Sequence, residues 1–163
     1  MNKIVRLLLI FFLFIAPVSA QHIKLYNPFA DPFSDIDTAI NKAFTENKFV
    51  LIQAGGNWCR WCIEFEQFCK ADIKIDSLIK SSFIIYHLNY SKENYNKEIF
   101  AKYGYPQRFG FPVFLILNGK GERIHTQNST YLEDGKKSYD KQKVFDFLDQ
   151  WNPKALDAKA YFK

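Results

Sequence analysis

Two kinds of hydrophobic pattern divide the chain into segments, and each predicts a different element of structure. Continuous apolar runs bounded by polar or turn residues predict buried strands, whereas apolar residues three or four positions apart predict amphipathic helices. The first pattern predicts strands at 48–54, 83–88, 112–117 and 122–127. The second predicts a first helix from a cap at Asp35 or Asp37 to about 47. It predicts a second helix through 63–70 that ends near 71, and further helices at 75–81, 92–103 and 141–151.

The order of these elements predicts the fold class. Asn118 and Gly119 separate the last two strands, and this dipeptide favours a hairpin with antiparallel strands. The earlier strands alternate with helices, which favours parallel pairing. We therefore predict an α/β fold, specifically an α/β/α sandwich around a central mixed sheet. Segments 21–34 and 128–139 lack either pattern and are predicted to be a lead-in and a surface loop.

Residues 1–20 have the pattern of a secretory signal peptide. Lys3 and Arg6 give a positive start, an apolar run follows at 7–16, and residues 18–20 match a cleavage site. The apolar run is about half the length that a bilayer span requires. We therefore expect cleavage after Ala20, export to the periplasm or the medium, one domain at 21–163, and no stable membrane insertion after cleavage.

The net charge of the chain argues against some classes of partner. The 163 residues include 22 Lys or Arg and 17 Asp or Glu, which gives a formal charge of +5. Removal of Lys3 and Arg6 with the signal peptide lowers this charge to +3, and the remaining charges are spread along the chain. So mild a charge does not indicate nucleic-acid binding. The 17 Phe, 9 Tyr and 3 Trp are interpreted as core packing rather than as a binding platform.

Cys59 and Cys62 carry the chemistry that the sequence indicates most clearly. They follow the first predicted strand and a Gly-Gly turn, and a predicted helix comes after them. Unpaired N–H groups and the helix dipole at a helix N-terminus favour a thiolate over a thiol. The spacing predicts dithiol–disulfide chemistry, with Cys59 exposed as the nucleophile and Cys62, one turn in, as the resolving thiol. Arg60 adds a cation that favours the thiolate, while Trp58 and Trp61 shelter the pair and offer an apolar surface to a substrate peptide.

Two other roles for the cysteine pair stay open beside redox chemistry. As a structural staple, the bond would close so short a loop that its entropic stabilisation is small. A zinc site needs three or four protein ligands, and the chain adds only Cys69 and three histidines distant in sequence. We therefore favour redox chemistry and predict neither a metal nor a cofactor. Cys69 is interpreted as a small buried residue, with a third redox thiol or an intermolecular link as the alternative.

The chain resembles the thioredoxin superfamily over about residues 44–151. The resemblance rests on the Trp-Cys-x-x-Cys motif at 58–62 and on Phe111-Pro112, which leads into an apolar strand followed by Asn-Gly. It implies a thioredoxin-like fold in which Pro112 is a cis-proline against the cysteine pair and the backbone of Phe111 pairs with substrate. The chain is similar to exported thioredoxin-like proteins of bacteria, some related to the periplasmic domain of the disulfide-reductant relay. The predicted substrate-binding residues are Trp58, Arg60, Trp61, Phe111 and Pro112.

Departures from the thioredoxin pattern affect the expected chemistry. Thioredoxins have a buried acid six positions before the first cysteine, where this chain has Gln53, and an amide cannot take a proton as a carboxylate does. Glu64 and Glu66 follow the motif on a helix and are predicted to be surface charges. The dipeptide between the cysteines, Arg60-Trp61, matches neither thioredoxins nor strong oxidants. The direction of electron flow is therefore not predicted.

These observations lead to competing hypotheses of function. The leading one is an exported thiol–disulfide oxidoreductase that exchanges dithiol and disulfide with protein substrates through Cys59 and Cys62. Such an enzyme needs a partner that restores its redox state, expected to be a membrane-bound relay or another thioredoxin-like protein. The alternative is a redox-inactive module of the same fold that binds partners or acts as a chaperone. A peroxide-reducing enzyme is a weaker interpretation, because the two-residue spacing favours disulfide exchange.

Overall fold

Four strands form the sheet at the centre of the fold. The structure is a computed structural model that describes residues 24–162, so the predicted signal peptide at 1–20 lies outside the described residues. The strands are β1 Phe49–Gly55, β2 Phe83–Asn89, β3 Val113–Leu117 and β4 Arg123–Asn128. Their order is β2-β1-β3-β4, with β1 parallel to β2, and with β3 antiparallel to both β1 and β4. The predicted mixed sheet is therefore confirmed.

The α-helices of the described residues connect and flank these strands. They are α1 Pro32–Thr45, α2 Arg60–Ala71, α3 Ile73–Ser82, α4 Lys97–Lys102 and α5 Lys141–Gln150. Short 3₁₀ turns lie at Pro106–Phe109, Ser129–Leu132 and Ala158–Ala160. Within residues 24–162, no helix has both the length and the hydrophobicity needed to cross a membrane.

Side chains alternate along β1 between the two faces of the sheet, and each face has its own hydrophobic core. Val50, Ile52 and Ala54 pack against α1 and α4. Leu51 belongs to the second core, which includes residues of α2, α3 and α5. Because helices cover both faces, the strand is apolar on both sides and appears in the sequence as a continuous apolar run. The predicted α/β/α sandwich is confirmed.

The first helix begins earlier than the sequence predicts. The predicted caps were Asp35 and Asp37, but the N-cap is Asp31, whose carboxylate accepts a hydrogen bond of 3.0 Å from the Phe33 N–H. Pro32 occupies the first helical turn, where its missing N–H costs nothing. The prediction was wrong because the apolar spacing of α1 starts only about one turn after the true cap.

The helix predicted at 92–103 is also wrong in its length, since α4 spans only Lys97–Lys102. Three asparagines hold the preceding segment in a loop instead. Asn89 Nδ2 donates to the Asn94 carbonyl at 2.9 Å, and Asn96 Nδ2 donates to the Asn89 carbonyl at 2.8 Å. Asn96 has a left-handed backbone with φ of 48°. Asparagine side chains compete in this way with helical hydrogen bonding, which a count of apolar spacing does not detect.

The segment at 128–139 is only in part the surface loop that the sequence predicts, because residues 130–131 and 134–137 are exposed and others are buried. Leu132 and Tyr139 are buried in the core that contains α2 and α5. Tyr139 Oη donates to the Trp61 carbonyl at 3.0 Å, and Ser138 Oγ donates to Glu64 Oε1 at 2.7 Å. The segment is therefore attached to the first turns of α2, the helix that follows the cysteine motif.

Candidate active site

Cys59 and Cys62 lie where β1 gives way to α2. Cys59 is the N-cap of α2, and its sulfur accepts a hydrogen bond from the Cys62 N–H at 3.2 Å. A disulfide joins the two residues, whose Cα atoms are 5.2 Å apart. The two sulfurs can therefore form and break a bond with each other, and a donor already points at the first sulfur. A thiolate at this position gains from that donor and from the helix dipole.

Cys59 is less accessible than the sequence predicts. Cys59 is 5% exposed and Cys62 is 0% exposed, so the first cysteine is the more accessible of two buried residues. The prediction of an exposed Cys59 is wrong because partly buried side chains pack against the pair, namely Leu25, Trp61 and Phe111. Only a narrow part of the Cys59 residue meets solvent, which limits the geometry from which another sulfur can approach.

Aromatic side chains form an open surface beside the pair. Trp58 is 60% exposed, and its indole Nε1 donates to the Tyr90 carbonyl at 2.7 Å. The Trp58 and Phe111 rings meet edge-on, with their centroids 5.6 Å apart. The ring centroids of Phe111 and Tyr90 are 4.8 Å apart, and those of Tyr90 and Tyr95 are 5.1 Å apart. A shallow pocket of about 380 Å³ lies among Trp58, Tyr90 and Tyr95. We refer to Trp58, Phe111, Tyr90 and Tyr95 as the aromatic rim.

Pro112 positions one member of the aromatic rim. Pro112 is buried, the peptide bond between Phe111 and Pro112 is cis, and the next residue, Val113, begins β3. Val113 pairs with Ala54 near the end of β1. Phe111 therefore lies at the same edge of the sheet as the turn that carries the cysteines, and the structure brings Phe111 and the cysteine pair together.

Arg60 and Trp61 line a different pocket from the one that Trp58 lines. The Trp61 ring is half-buried and meets Tyr139 edge-on at 5.4 Å. Arg60 is exposed and lines a pocket of about 220 Å³ together with Trp61, Glu64 and two lysines at 136 and 137. Of the five residues predicted to bind substrate, the structure brings Trp58 and Phe111 into one surface, with Pro112 buried behind it. Arg60 and Trp61 line a separate, more polar pocket.

Polar side chains lie buried next to Cys62. Gln53 Nε2 donates to the Cys62 carbonyl at 2.9 Å and to Tyr26 Oη at 2.9 Å. Gln53 and Tyr26 are each 2% exposed. Gln53 was identified from the sequence as the residue in the place of an acid, but Tyr26 was missed. It lies in the segment interpreted as a lead-in, and one aromatic residue in an unpatterned segment carries no signal of its position.

Glu66 is part of this buried polar region and is not the surface charge that the sequence predicts. It is 9% exposed, lies 3.5 Å from His87 Nε2, and pairs with Lys70 Nζ at 2.6 Å. The His87 imidazole and the Lys70 ammonium outweigh burial and lower the pKa of Glu66 to about 2. His87 itself lies beside Gln53, its partner in the parallel pairing of β1 and β2, and its ring is 5.4 Å from that of Tyr26. We refer to Tyr26, Gln53, His87 and Glu66 as the polar pocket.

Cys69 is a buried free thiol in the core between α2 and the sheet. Burial raises its pKa well above the usual value, which keeps it protonated and unreactive. The interpretation of Cys69 as a small buried residue is confirmed. Among residues 24–162, no group of three or more His, Cys, Asp or Glu side chains is arranged to hold a metal ion.

Comparisons with known proteins bear on this arrangement. A family model described as thioredoxin-like matches residues 31–119. The crystal structure of a disulphide isomerase from Xylella fastidiosa Temecula1 is 23% identical, with a TM-score of 0.68 over 78% of this chain and 96% of that one. The oxidised C-terminal domain of DsbD from Neisseria meningitidis is 16% identical, with a TM-score of 0.54 over 77% of this chain and 100% of that one. A comparison with curated proteins gives no match.

The two solved structures establish the fold of this chain. Their identities of 23% and 16% are too low to transfer a substrate or a partner, but each likeness extends over more than three quarters of the chain. The matched family region contains β1, the cysteine pair, α2 and β3, which are the elements that build the candidate site.

Proposed function

Because the chain belongs to the thioredoxin-like family, we propose that it is an exported thiol–disulfide oxidoreductase that acts on the cysteines of protein substrates. The observation that carries this proposal is the Cys59–Cys62 disulfide at the N-terminus of α2, where the Cys62 N–H donates to the Cys59 sulfur. Because thiolate is the reactive form of cysteine, a donor at this sulfur favours the form that attacks and leaves.

The proposed exchange runs in two steps that use both sulfurs. In the reduced protein, the Cys59 thiolate attacks a substrate disulfide, so a mixed disulfide forms and one substrate sulfur leaves as a thiolate that takes up a proton. Cys62 then loses its proton and attacks the Cys59 sulfur, which forms the Cys59–Cys62 bond and releases the second substrate sulfur. Two electrons pass from the protein to the substrate. The reverse sequence oxidises a substrate dithiol, and neither direction requires a cofactor.

The aromatic rim is proposed as the substrate-binding surface next to Cys59. Exposed Trp58 and half-buried Phe111 and Tyr90 offer apolar area to side chains that flank a substrate cysteine. The rim is open and mainly apolar, with Lys92 and Glu93 at the border of its pocket, so it fits unfolded or partly folded segments of varied sequence rather than one fixed partner. Arg60 and Trp61 line a second pocket, and Trp61 also packs against the cysteine pair.

A recycling partner completes the proposal. The solved structures named above are of a disulphide isomerase and of a C-terminal domain of DsbD, and the first of these names supports a role in disulfide exchange. We propose that a membrane-bound relay or another thioredoxin-like protein restores the redox state of the pair. The signal peptide at 1–20 and the domain at 21–163 belong to the same proposal, and N-terminal sequencing of the mature protein tests them directly.

The proposed activity is tested by the reduction of insulin with dithiothreitol as the electron donor. We expect wild-type protein to accelerate the reaction, Cys59→Ser to abolish the acceleration, and Cys62→Ser to accumulate mixed disulfides visible on a non-reducing gel. Cys69→Ala is the matched control, because it removes a buried thiol that the proposed reaction does not use. We expect it to keep the wild-type rate.

A negative result in the insulin assay would favour the alternative function. An inactive wild-type protein that still binds unfolded substrates would replace the proposal with a redox-inactive binding module. The reduction potential of the pair fixes the direction of exchange, since about −270 mV is the value of thioredoxin and about −120 mV that of a strong oxidant.

A further inference from the structure

Tyr26 is held against the cysteine pair by the turn that carries the pair. Its backbone N–H donates to Asn57 Oδ1 at 3.1 Å, and Asn57 Nδ2 donates back to the Tyr26 carbonyl at 2.8 Å. Asn57 lies two residues before Cys59, so the cysteine turn and the segment before α1 are fixed to each other. The Tyr26 side chain is buried in one cluster with Cys59 and Cys62.

Among residues 24–162, the hydroxyl group of Tyr26 has a partner for only one of its two hydrogen-bonding functions. Its oxygen accepts the hydrogen bond from Gln53 Nε2 at 2.9 Å. Within residues 24–162, no group accepts the hydrogen of the Tyr26 hydroxyl, while the residue is only 2% exposed. Buried hydroxyl groups normally satisfy both functions, and a donor without an acceptor is costly. In the oxidised state, the described part of the chain therefore supplies no acceptor for this buried donor.

Gly55 lies beside both the Cys62 sulfur and the Tyr26 hydroxyl. A Cβ atom on Gly55 would overlap the Cys62 sulfur and would lie 3.0 Å from Tyr26 Oη. Both groups therefore border the space above the same glycine, and in the oxidised state the hydroxyl makes no hydrogen bond to that sulfur. In the disulfide, Cys62 Sγ is bonded to Cys59. Reduction breaks that bond and gives the Cys62 sulfur the electron density and the freedom to accept a hydrogen bond.

We propose that in the reduced protein the Tyr26 hydroxyl donates a hydrogen bond to the Cys62 sulfur and stabilises its thiolate, the form that resolves the mixed disulfide. This inference rests on the proposed function. Gln53 orients the donor by occupying the lone pair of the hydroxyl oxygen, so that the hydrogen points away from the amide. A neutral donor bonded to Gln53, the residue in the place of an acid, thus acts on Cys62 without taking its proton.

The proton that leaves Cys62 passes to the solvent or to the departing substrate sulfur, and Tyr26 keeps its own. Burial raises the pKa of Tyr26 well above the usual value, which excludes the phenolate at neutral pH. The charged groups next to the hydroxyl are Glu66 from α2 and, when protonated, His87 from β2. The negative charge of the Glu66 carboxylate disfavours a thiolate at Cys62, and a hydrogen bond from Tyr26 to the thiolate favours it.

The reaction of the reduced protein with Ellman's reagent separates the two cysteines. Cys59 attacks the reagent and releases one thionitrobenzoate, and Cys62 then displaces a second one from Cys59 as the protein disulfide forms. In Tyr26→Phe, we expect an unchanged first phase and a second phase slowed by about threefold to tenfold at pH 7. The apparent pKa of the second phase should rise by about one to two pH units, the shift that corresponds to loss of a hydrogen bond to a charged group.

Tyr103→Phe is the matched control. Tyr103 is also buried, its hydroxyl has no partner within residues 24–162, and it lies in the core on the α1 side of the sheet. We expect both phases to match wild type in this variant. Tyr26→Phe removes only an oxygen, and a thermal melt of the oxidised form verifies that the variant is folded. As a second variant, Gln53→Leu frees the hydroxyl from its orienting amide and should raise the apparent pKa in the same direction.

Three outcomes distinguish this inference from the proposed function. A second phase with the wild-type rate and pH profile in Tyr26→Phe would overturn the inference and leave the proposed function intact. Equal slowing in Tyr103→Phe would also overturn it, because the effect would then follow from the loss of any buried hydroxyl. A wild-type protein that releases only one thionitrobenzoate would instead overturn the proposed function itself.

Discussion

The aromatic rim and the polar pocket each have a member that packs against the cysteine pair, Phe111 and Tyr26, and they differ in exposure and in the contacts that hold them. The rim is open, since Trp58 is 60% exposed, and its members meet one another mainly through their rings. The polar pocket is closed, since Tyr26 and Gln53 are each 2% exposed, and Gln53 is held by hydrogen bonds to Tyr26 Oη and to the Cys62 carbonyl. Phe111 of the open rim and Tyr26 of the closed pocket therefore pack against the same cysteine pair.

This difference separates recognition from chemistry within a few residues. Aromatic contacts are tolerant of the partner's sequence, because they depend on buried area and only loosely on direction. Hydrogen bonds in a closed pocket depend steeply on distance and angle, so they hold one arrangement and tune one group. A protein that exchanges disulfides with varied substrates, as proposed above, needs both properties, and both kinds of side chain pack against the cysteine pair.

The closed packing of the polar pocket predicts the largest effect on stability. In Gly55→Ala the new Cβ would overlap Cys62 Sγ and crowd Tyr26 Oη, so one of these groups has to move. We expect a loss of about 1–3 kcal/mol in the free energy of unfolding, measured by urea denaturation of the oxidised protein.

Gly119→Ala is the matched control for this substitution. A Cβ at Gly119 would meet only Phe44, at the ordinary contact distance of 3.7 Å, so we expect a change within about 0.5 kcal/mol. If Gly55→Ala were as stable as this control, the pocket would be looser than the structure shows, and the contrast with the rim would disappear.

The sequence predicts the frame around the pair better than the surroundings of Cys62. β1 and β3 are buried on both faces, so each appears as a continuous apolar run with boundaries correct to about one residue. The start of α2 follows from the cysteine spacing. The polar pocket does not follow from any local pattern, because its members come from the segment before α1, from β1, from β2 and from α2. Only the parallel register, which sets Gln53 beside His87, brings them together.

Contacts made by polar side chains explain the two remaining errors, the length of α4 and the exposure of Glu66. The sequence predicts α4 to be about twice as long as it is, since the hydrogen bonds of Asn89, Asn94 and Asn96 replace helical ones. The sequence predicts Glu66 at the surface, because the exposure of a residue on a helix depends on which strand the helix packs against. Glu66 packs against β2, where His87 Nε2 lies 3.5 Å from its carboxylate. The asparagine contacts are local and the Glu66–His87 contact is distant in sequence, but neither repeats with the helical period, so periodicity does not report them.

The open rim predicts a second and smaller effect, chiefly on recognition. Trp58→Ala should lower the free energy of unfolding by only about 1 kcal/mol, because the largely exposed side chain contributes one hydrogen bond to the Tyr90 carbonyl and an edge-on contact with Phe111. It should slow insulin reduction about threefold to tenfold, the effect of losing roughly 1 kcal/mol of aromatic contact with substrate. Phe44→Ala removes an aromatic side chain that is 71% exposed beside Gly119, away from the rim, and should keep the wild-type rate. Equal slowing in the two variants would argue that the rim has no specific role.

The smallest expected effect is the pH dependence contributed by Glu66. Its pKa falls from 4.5 to about 2 in the folded protein, because His87 and Lys70 favour the carboxylate. A folded-state pKa that is lowered stabilises the protein above the unfolded pKa, and this stabilisation is lost as the pH falls from about 4.5 towards 2.

Glu66→Gln should therefore lower the free energy of unfolding by about 1 kcal/mol or less at pH 7, since Lys70 is exposed and solvent screens the pair. The difference from wild type should shrink in urea denaturation at pH 3, where unfolded wild-type chains carry a protonated Glu66. Glu46→Gln removes an exposed carboxylate that pairs with Lys48 at 2.6 Å and serves as the control. If the difference in the free energy of unfolding between wild type and Glu66→Gln stayed constant from pH 7 to pH 3, Glu66 would act through packing rather than through its charge. The polar pocket would then resemble the rim, whose contacts do not depend on charge.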